Sequence, residues 1–372
     1  MLDFIRSLFF PCKKHKSYIQ KRKKPYFQGL HAIPSGGLTP GQVCKAYGFQ
    51  KLTPVRKVTI GIVSLDGVYS DSDMRTAFAA YNLPVPLVTA VGPQSPDFKS
   101  TIENMLDIEC AGAAYAFCTG QPAVILEQFK TNDGTGITKA INALVNAGCE
   151  VISISWGGPA DEQVGAQIRA RAQACAAAAN ANVHIFAASG DNSLDDGTNS
   201  RTSDDPCCDP NVWGVGGTRL SLNPDGTIAS ESAWGDGDAH DNGGGGGFDP
   251  DEPIPSYQQG IVPGNLRGSP DSSANADPQS GYAIVANGQW QVVGGTSAST
   301  PLTAGYVAAI LSTLPNRISP SQLKSLLYNN RTRAFNDITL GSNGDPAVPG
   351  WDDATGCGSI NGAGMAAVLT GR

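Results

Sequence analysis

The segment Val293-Gly-Gly-Thr-Ser-Ala-Ser-Thr-Pro301 sets Ser297 directly after Gly-Gly-Thr, at the start of a helix expected over Ser299–Leu314. A hydroxyl there meets the positive end of a helix, and the flanking glycines let a substrate backbone approach closely. The same pattern also suits a capped helix with no chemistry at all. A serine nucleophile needs a partner to take its proton. Histidine is the usual acceptor, yet the 372 residues hold four: His15, His31, His184 and His240. His31 precedes the first expected strand, His184 sits inside one, and His240 stands in a glycine-rich loop. Each reads as a surface or satisfied core histidine. A carboxylate can serve instead if its position and pKa suit. Thr101-Ile-Glu-Asn-Met-Leu-Asp-Ile-Glu109 puts Glu103 and Asp107 at i and i+4, on one face of a helix. Like charges at that spacing repel unless a proton is shared or the pair does work, a solvated helix face being the plain alternative. Glu109 points elsewhere and reads as solvated.

The elements that must hold these groups alternate. Strands are expected at Val58–Val63, Pro122–Leu126, Val151–Ser155, Val183–Ala188 and Val212–Leu220. Helices are expected at Ser72–Tyr81, Thr101–Tyr115, Thr138–Ala147 and Asp161–Ala179. This order predicts an α/β fold, a mostly parallel sheet with helices on both faces. Functional loops of such sheets lie at the carboxyl ends of the strands. The Gly243–Gly247 run reads as a flexible loop without phosphate-binding spacing.

Composition narrows the function. No apolar run approaches the ~20 residues of a membrane span. Residues 1–30 carry eight Lys/Arg against one Asp, whereas the other 342 carry 18 against 32. The acidic body is unsuited to nucleic acid, so any membrane or polyanion contact belongs to the basic N-terminus. There the apolar Leu8-Phe9-Phe10 precedes the basic run, the reverse of a secretory signal. Nine cysteines leave at least one thiol unpaired within the chain, and no Cys-x-x-Cys pair suggests zinc. Residues 1–35 read as a solvated basic extension and 36–372 as one globular domain.

The serine segment resembles the nucleophile motif shared by subtilisin-like and sedolisin-like peptidases. The subtilisin mechanism needs a His-Gly-Thr-His-like helix, which this chain lacks. Further segments are similar to the sedolisins, the serine-carboxyl peptidases. They are Glu103-x-x-x-Asp-Ile-Glu109 with Ala-Gly-Ala-Ala, Val151-Ile-Ser-Ile-Ser-Trp-Gly-Gly-Pro159, Ala188-Ser-Gly-Asp191, Gly216-Gly-Thr218, and a C-terminal pair of acidic segments. They follow in the family's order from about Leu38 onward. The resemblance implies a subtilisin-like fold and a peptidase of the kumamolisin type, with Ser297 as nucleophile and Glu103 as general base. Asp107 would orient and tune Glu103, and Asp191 would be the oxyanion-hole acid. A base near the ordinary ~4–5 accepts a proton only where it stays ionised, whereas Asp191 donates only while protonated. A bell-shaped profile on the acidic side is expected.

The resemblance also implies one structural Ca2+, held by Asp337, Ile338, Val348, Gly350 and Asp352. Val348 stands where the pattern has glycine, and Asp353 is a lower-ranked substitute. Asp204 aligns with a position that can line the primary specificity pocket, with a surface loop as the alternative. Trp156 is expected to pack near the site. Two departures stand out: only ~35 residues precede the peptidase region, and Ser64-Leu-Asp-Gly67 lacks a glutamate that some relatives use to extend the carboxylate network. The family implies protein or peptide substrates, a monomer, and an extracellular or acidic setting. A catalytically inactive calcium-stabilised binding module and a histidine-dependent hydrolase are the competing readings.

Overall fold

The computed structural model describes residues 33–372 except 197, 199, 200, 202 and 238–241. His15, His31, His240 and nearly all of the basic extension therefore lie outside the described residues. In chain order the elements begin with α1 (Pro40–Ala46), β1 (Thr59–Leu65), α2 (Asp71–Tyr81), β2 (Leu87–Val91), α3 (Phe98–Thr119) and β3 (Val124–Lys130). Then come α4 (Gly136–Asn146), β4 (Val151–Ile154), β5 (Gly158–Pro159), α5 (Gly165–Asn180), β6 (His184–Ala188), β7 (Asp204–Asp205), β8 (Val212–Leu222) and β9 (Ile228–Ala233). The remainder is β10 (Gly247–Pro253), β11 (Leu266–Ser269), β12 (Ser272–Asn275), β13 (Tyr282–Ala286), β14 (Gln289–Val293), α6 (Thr296–Ser312), α7 (Pro320–Asn329), α8 (Arg331–Ala334), β15 (Phe335–Asn336), β16 (Ser359–Ile360) and α9 (Gly362–Thr370).

Nine strands form the path β15-β16-β12-β8-β6-β4-β1-β3-β2, and β9 hangs antiparallel on β8. Every pairing from β16 to β2 is parallel. The chain adds β2 and β3 on one flank of β1, then turns to β4 on the other. The sheet therefore has a switch point beside β1, where ligand crevices form in such folds.

Strand alternation assigns the two faces. Ile60, Ile62 and Ile125 pack into the core under α2, α3 and α6, whereas Val63, Leu65 and Ile152 pack under α4 and α5. Ser64 and Glu127, in step with Ile62 and Ile125, thus face the α3 side. α3 runs longer than its apolar pattern suggests, from an Asp97 cap that accepts Ser100 N–H at 2.8 Å to Gly120 in left-handed geometry. It lies directly on α6: a Cβ at Gly305 would sit 2.3 Å from the Ala111 carbonyl oxygen. Only glycine permits that approach, which brings the acidic helix to the serine helix.

Three expectations need correction. α6 begins at Thr296 rather than Ser299, so Ser297 lies in the first turn instead of before it. The helix expected from Asp161 starts at Gly165, after a single 3-10 turn. Gly243–Gly247 is no flexible loop. It is buried, Gly243 bridges to Asn192, and a Cβ on Gly245 would meet the Ser189 carbonyl at 1.9 Å. The glycines let this strip pass flush against the turn that carries Asp191. All eight described cysteines are free and buried. Among the described residues no helix is long and apolar enough to cross a membrane.

Candidate active site

Two strand ends and two helices converge beside the switch point. Ser155 follows β4, Asp191 follows β6, α3 supplies Glu103 and Asp107, and the first turn of α6 supplies Ser297. All five are buried.

Ser297 Oγ contacts the Ser155 carbonyl at a long 3.5 Å, and the same hydroxyl is the neighbour that favours the ionised form of Glu103. Burial outweighs that help. It lifts Glu103 to about 8, with the nearby Asp191 adding to the rise. The expectation of a base in the ordinary carboxylate range is therefore corrected upward, because the helix pair excludes the water that would stabilise the charge. Behind Glu103, Asp107 Oδ1 accepts the Ser155 hydroxyl at 2.6 Å. Burial, then Glu103, then Glu127 push the Asp107 carboxyl well above its usual range. Glu103 Oε1 and Asp107 Oδ2 have no hydrogen-bond partner. Two adjoining buried acids cannot both ionise at such a place, so they share protons as a pair.

Asp191 is held differently. Its Oδ1 accepts Thr296 N–H at 2.7 Å and the Thr296 hydroxyl at 2.9 Å. Its Oδ2 faces the bare side of Gly295, where a Cβ would sit 2.7 Å away. Gly295 adopts a φ of 108°, a region that glycine supplies without strain. Burial raises Asp191 to about 6 against those two bonds, so in acid it carries a proton it can donate.

Asp204 is no surface residue. It is buried on β7 behind the Asp191 turn, where a Cβ on Gly190 would meet its Oδ2 at 3.0 Å. Burial first, then Asp196 and Asp191, drive its carboxyl well above the usual range. Glu109 is likewise corrected. It is buried, taking the Tyr81 hydroxyl at 2.5 Å and Val285 N–H at 3.2 Å, and so ties α3 to β13. Trp156 is buried in the core under α4 and α5.

His184 opens β6, at the end away from Asp191, and its ring meets the Ile318 carbonyl at 3.1 Å. Burial lowers it to about 4, leaving a neutral core histidine. Ser155 and Thr296, which orient Asp107 and Asp191, were not singled out from sequence. Their adjacency to motif residues was the available signal.

The C-terminal acidic segments form one loop cluster. Asp337 accepts Gly350 N–H at 3.1 Å, and Asp352 accepts Val348 N–H at 2.9 Å and Thr355 N–H at 2.8 Å. Among the described residues no group of three or more His, Cys, Asp or Glu gathers as a metal centre. A cation here would draw on two carboxylates and the carbonyls of Ile338, Val348 and Gly350, an all-oxygen set of the kind calcium takes.

The subtilase family model matches residues 123–358. Kumamolisin from Bacillus sp. (strain MN-32) is 35% identical over 353 residues, covering 86% of this chain and 61% of that protein. Sedolisin from Pseudomonas sp. (strain 101) is 27% identical over 368 residues, covering 91% and 62%. This chain thus spans about three fifths of the length of these relatives. The solved structure of Pseudomonas sedolisin, a serine-carboxyl proteinase complexed with two molecules of pseudo-iodotyrostatin, superposes with a TM-score of 0.82. Its identity is 26%, over 91% of this chain and 99% of that one.

Proposed function

The chain belongs to the subtilase family, in its sedolisin, kumamolisin-like branch, and from that premise we propose that it is a serine-carboxyl endopeptidase. The observation that carries this reading is the buried Ser297 hydroxyl beside the Glu103 carboxyl, with Asp107 one turn further along the same helix and the ring of His184 engaged elsewhere.

Ser297 Oγ attacks the scissile carbonyl carbon while its proton passes to Glu103. Asp107 shares the remaining proton of the pair and keeps Glu103 aimed at the serine. The carbonyl oxygen becomes an oxyanion and accepts a hydrogen bond from protonated Asp191. The C–N bond then breaks, and Glu103 returns its proton to the leaving amine. Water repeats the sequence on the acyl-enzyme, releasing the acid and restoring Ser297.

The pair sheds its protons in two steps that belong to both residues, and the singly protonated pair is the working base. Burial lifts those steps, and Asp191 stops donating as pH rises through about 6. This reading favours weakly acidic surroundings, outside the cell or in an acidic compartment. Asp204, behind the Asp191 turn, would face the residue preceding the scissile bond. Asp337, Ile338, Val348, Gly350 and Asp352 would hold one structural Ca2+, which neutralises the loop's carboxylates and ties 337 to 352. Protein or peptide substrates, a monomeric body that avoids nucleic acid, and a membrane or polyanion contact by the basic extension complete the proposal.

The test is digestion of a denatured protein from pH 3 to pH 8, by the full chain and by Ser297→Ala. Cleavage that peaks in acid and vanishes in Ser297→Ala is expected. Cleavage confined to neutral pH, or surviving the substitution, overturns the reading. No cleavage by either favours the inactive binding module.

A further inference from the structure

We propose that Arg171, on α5, is a positioning residue for substrate selection: it anchors Asp205 and thereby fixes which of two adjacent aspartates β7 turns toward the active site. This role rests on the serine-carboxyl reading above and on the place that reading gives Asp204. It adds a buried cation, remote in sequence, that makes Asp204 rather than Asp205 the acid facing the substrate.

The buried face of α5 places one long side chain among small ones. Its other buried positions are Ala174, Cys175 and Ala178, whereas Arg171, only 2% exposed, reaches across to β7. The Arg171 guanidinium donates through Nε to Asp205 Oδ1 and through Nη2 to Gln163 Oε1. Gln163 passes the restraint on, its Nε2 donating to the Gly158 carbonyl at 2.6 Å. β5 and β7 pair antiparallel, with Gly158 opposite Asp205 and Pro159 opposite Asp204. One guanidinium thus holds both strands of this short ribbon.

Both strands border the active site. β5 begins just after Ser155, whose carbonyl meets Ser297 Oγ at 3.5 Å. β7 sets the Asp205 carbonyl oxygen where a Cβ on Gly157 would stand 2.9 Å away. It sets Asp204 Oδ2 where a Cβ on Gly190, next to Asp191, would stand 3.0 Å away. Successive side chains of a strand point to opposite faces. Asp205 therefore turns to Arg171, and Asp204 turns to the glycine before Asp191, where its Oδ1 is buried without a hydrogen-bond partner.

A strand of two residues holds its own register weakly, and both residues of β7 are aspartate. A slip by one residue would exchange Asp204 and Asp205. Arg171 grips Asp205 directly and Gly158 through Gln163, and these two residues face each other across the ribbon, so the bonds fix the register. A buried ion pair contributes little net stability over apolar packing of the same volume, and setting register is the best-attested use of such groups. Asp204 has no cationic partner among the described residues, which leaves it to meet a lysine or arginine preceding the scissile bond.

The experiment uses the full chain carrying Ser297→Ala, so that peptides bind without turnover. Two peptides that differ only before the scissile bond, one with lysine and one with uncharged norleucine, are titrated by calorimetry at pH 6. With Arg171 in place the lysine peptide should bind about 10-fold tighter or more, and in Arg171→Met the ratio should fall to about 2-fold or less. The ratio compares two ligands on one chain, so a variant that is merely less stable leaves it unchanged. An unchanged ratio in a folded Arg171→Met overturns the proposal. So does binding of neither peptide, or no preference for lysine, with Arg171 present. Should Arg171→Met not fold, Gln163→Leu keeps the ion pair and cuts its link to Gly158. The ratio should then fall by a smaller amount, and no change overturns the proposal. Cleavage is measured separately with Ser297 restored. A ratio that depends on Arg171 in a chain that cleaves nothing overturns the peptidase reading while keeping the role of Arg171.

Discussion

Two buried acidic regions of this molecule are built on opposite principles. Around Asp271 the carboxylate is met by Arg267 Nη2 at 2.6 Å, by Gly214 N–H at 2.7 Å and by the Tyr328 hydroxyl at 2.6 Å. Gln258 spans from Tyr328 to the Gly268 carbonyl, closing a network that joins β8, β11 and α7. Around Ser297, Glu103, Asp107 and Glu127 have no guanidinium or ammonium partner among the described residues, and each keeps an oxygen unpaired. The first arrangement satisfies its charge and fixes structure. The second leaves protons as the only means of neutralisation, so its acids titrate and can do chemistry. Burial is common to both; the presence of a cation is what divides them.

Removing a member from each region should therefore give opposite signatures. Asp271→Ala strands the Arg267 charge and should lower stability by about 3–5 kcal/mol in denaturant unfolding. Asp191→Ala leaves the Thr296 donors unpaired and should cost less, about 1–3 kcal/mol, while lowering kcat by about 10²–10³-fold through loss of the oxyanion donor. A comparable loss of stability in both variants would erase the distinction.

The pH dependence of stability sharpens the same contrast. Asp191 is raised to about 6, and Glu127 to about 8. An acid raised on folding contributes stability that is full below its unfolded pKa and is lost as pH rises through its folded value. His184, lowered to about 4, acts in the other direction, losing stability as pH falls below its unfolded value. The acids outnumber it, so Tm should fall between pH 5 and pH 8. A flat or rising Tm would show that these acids ionise freely. The smallest effect concerns the 337–352 loop cluster: chelator should lower Tm if calcium binds there, and an unchanged transition refutes Asp337 and Asp352 as ligands.

Local chemistry in this chain was legible where one short segment contains it. The i, i+4 spacing of Glu103 and Asp107 and the Gly-Gly-Thr-Ser segment are of that kind, as is the β/α alternation. What escaped depends on neighbours remote in sequence. Glu109 reads as solvated because nothing near it reveals that Tyr81 and β13 close over it. Glu127 ends an apolar run, so the strand was expected to stop at Leu126, whereas β3 continues to Lys130. The Gly243–Gly247 strip reads as a loop because its requirement is negative: backbone from elsewhere occupies the space its side chains would need. The upward shift of Glu103 arises in the same way, from water excluded by the close contact of α3 and α6.

The central claim is that a carboxylic acid, and not a histidine, takes the proton from Ser297. The direct measurement is kcat/KM on a peptide substrate between pH 4 and pH 8 for Glu103→Gln and His184→Ala, each compared with the unaltered chain. The account predicts that Glu103→Gln loses activity by at least ~10²–10⁴-fold, the usual worth of general acid–base catalysis, while His184→Ala keeps its rate and profile. Full activity in Glu103→Gln, or its loss in a folded His184→Ala, would contradict it.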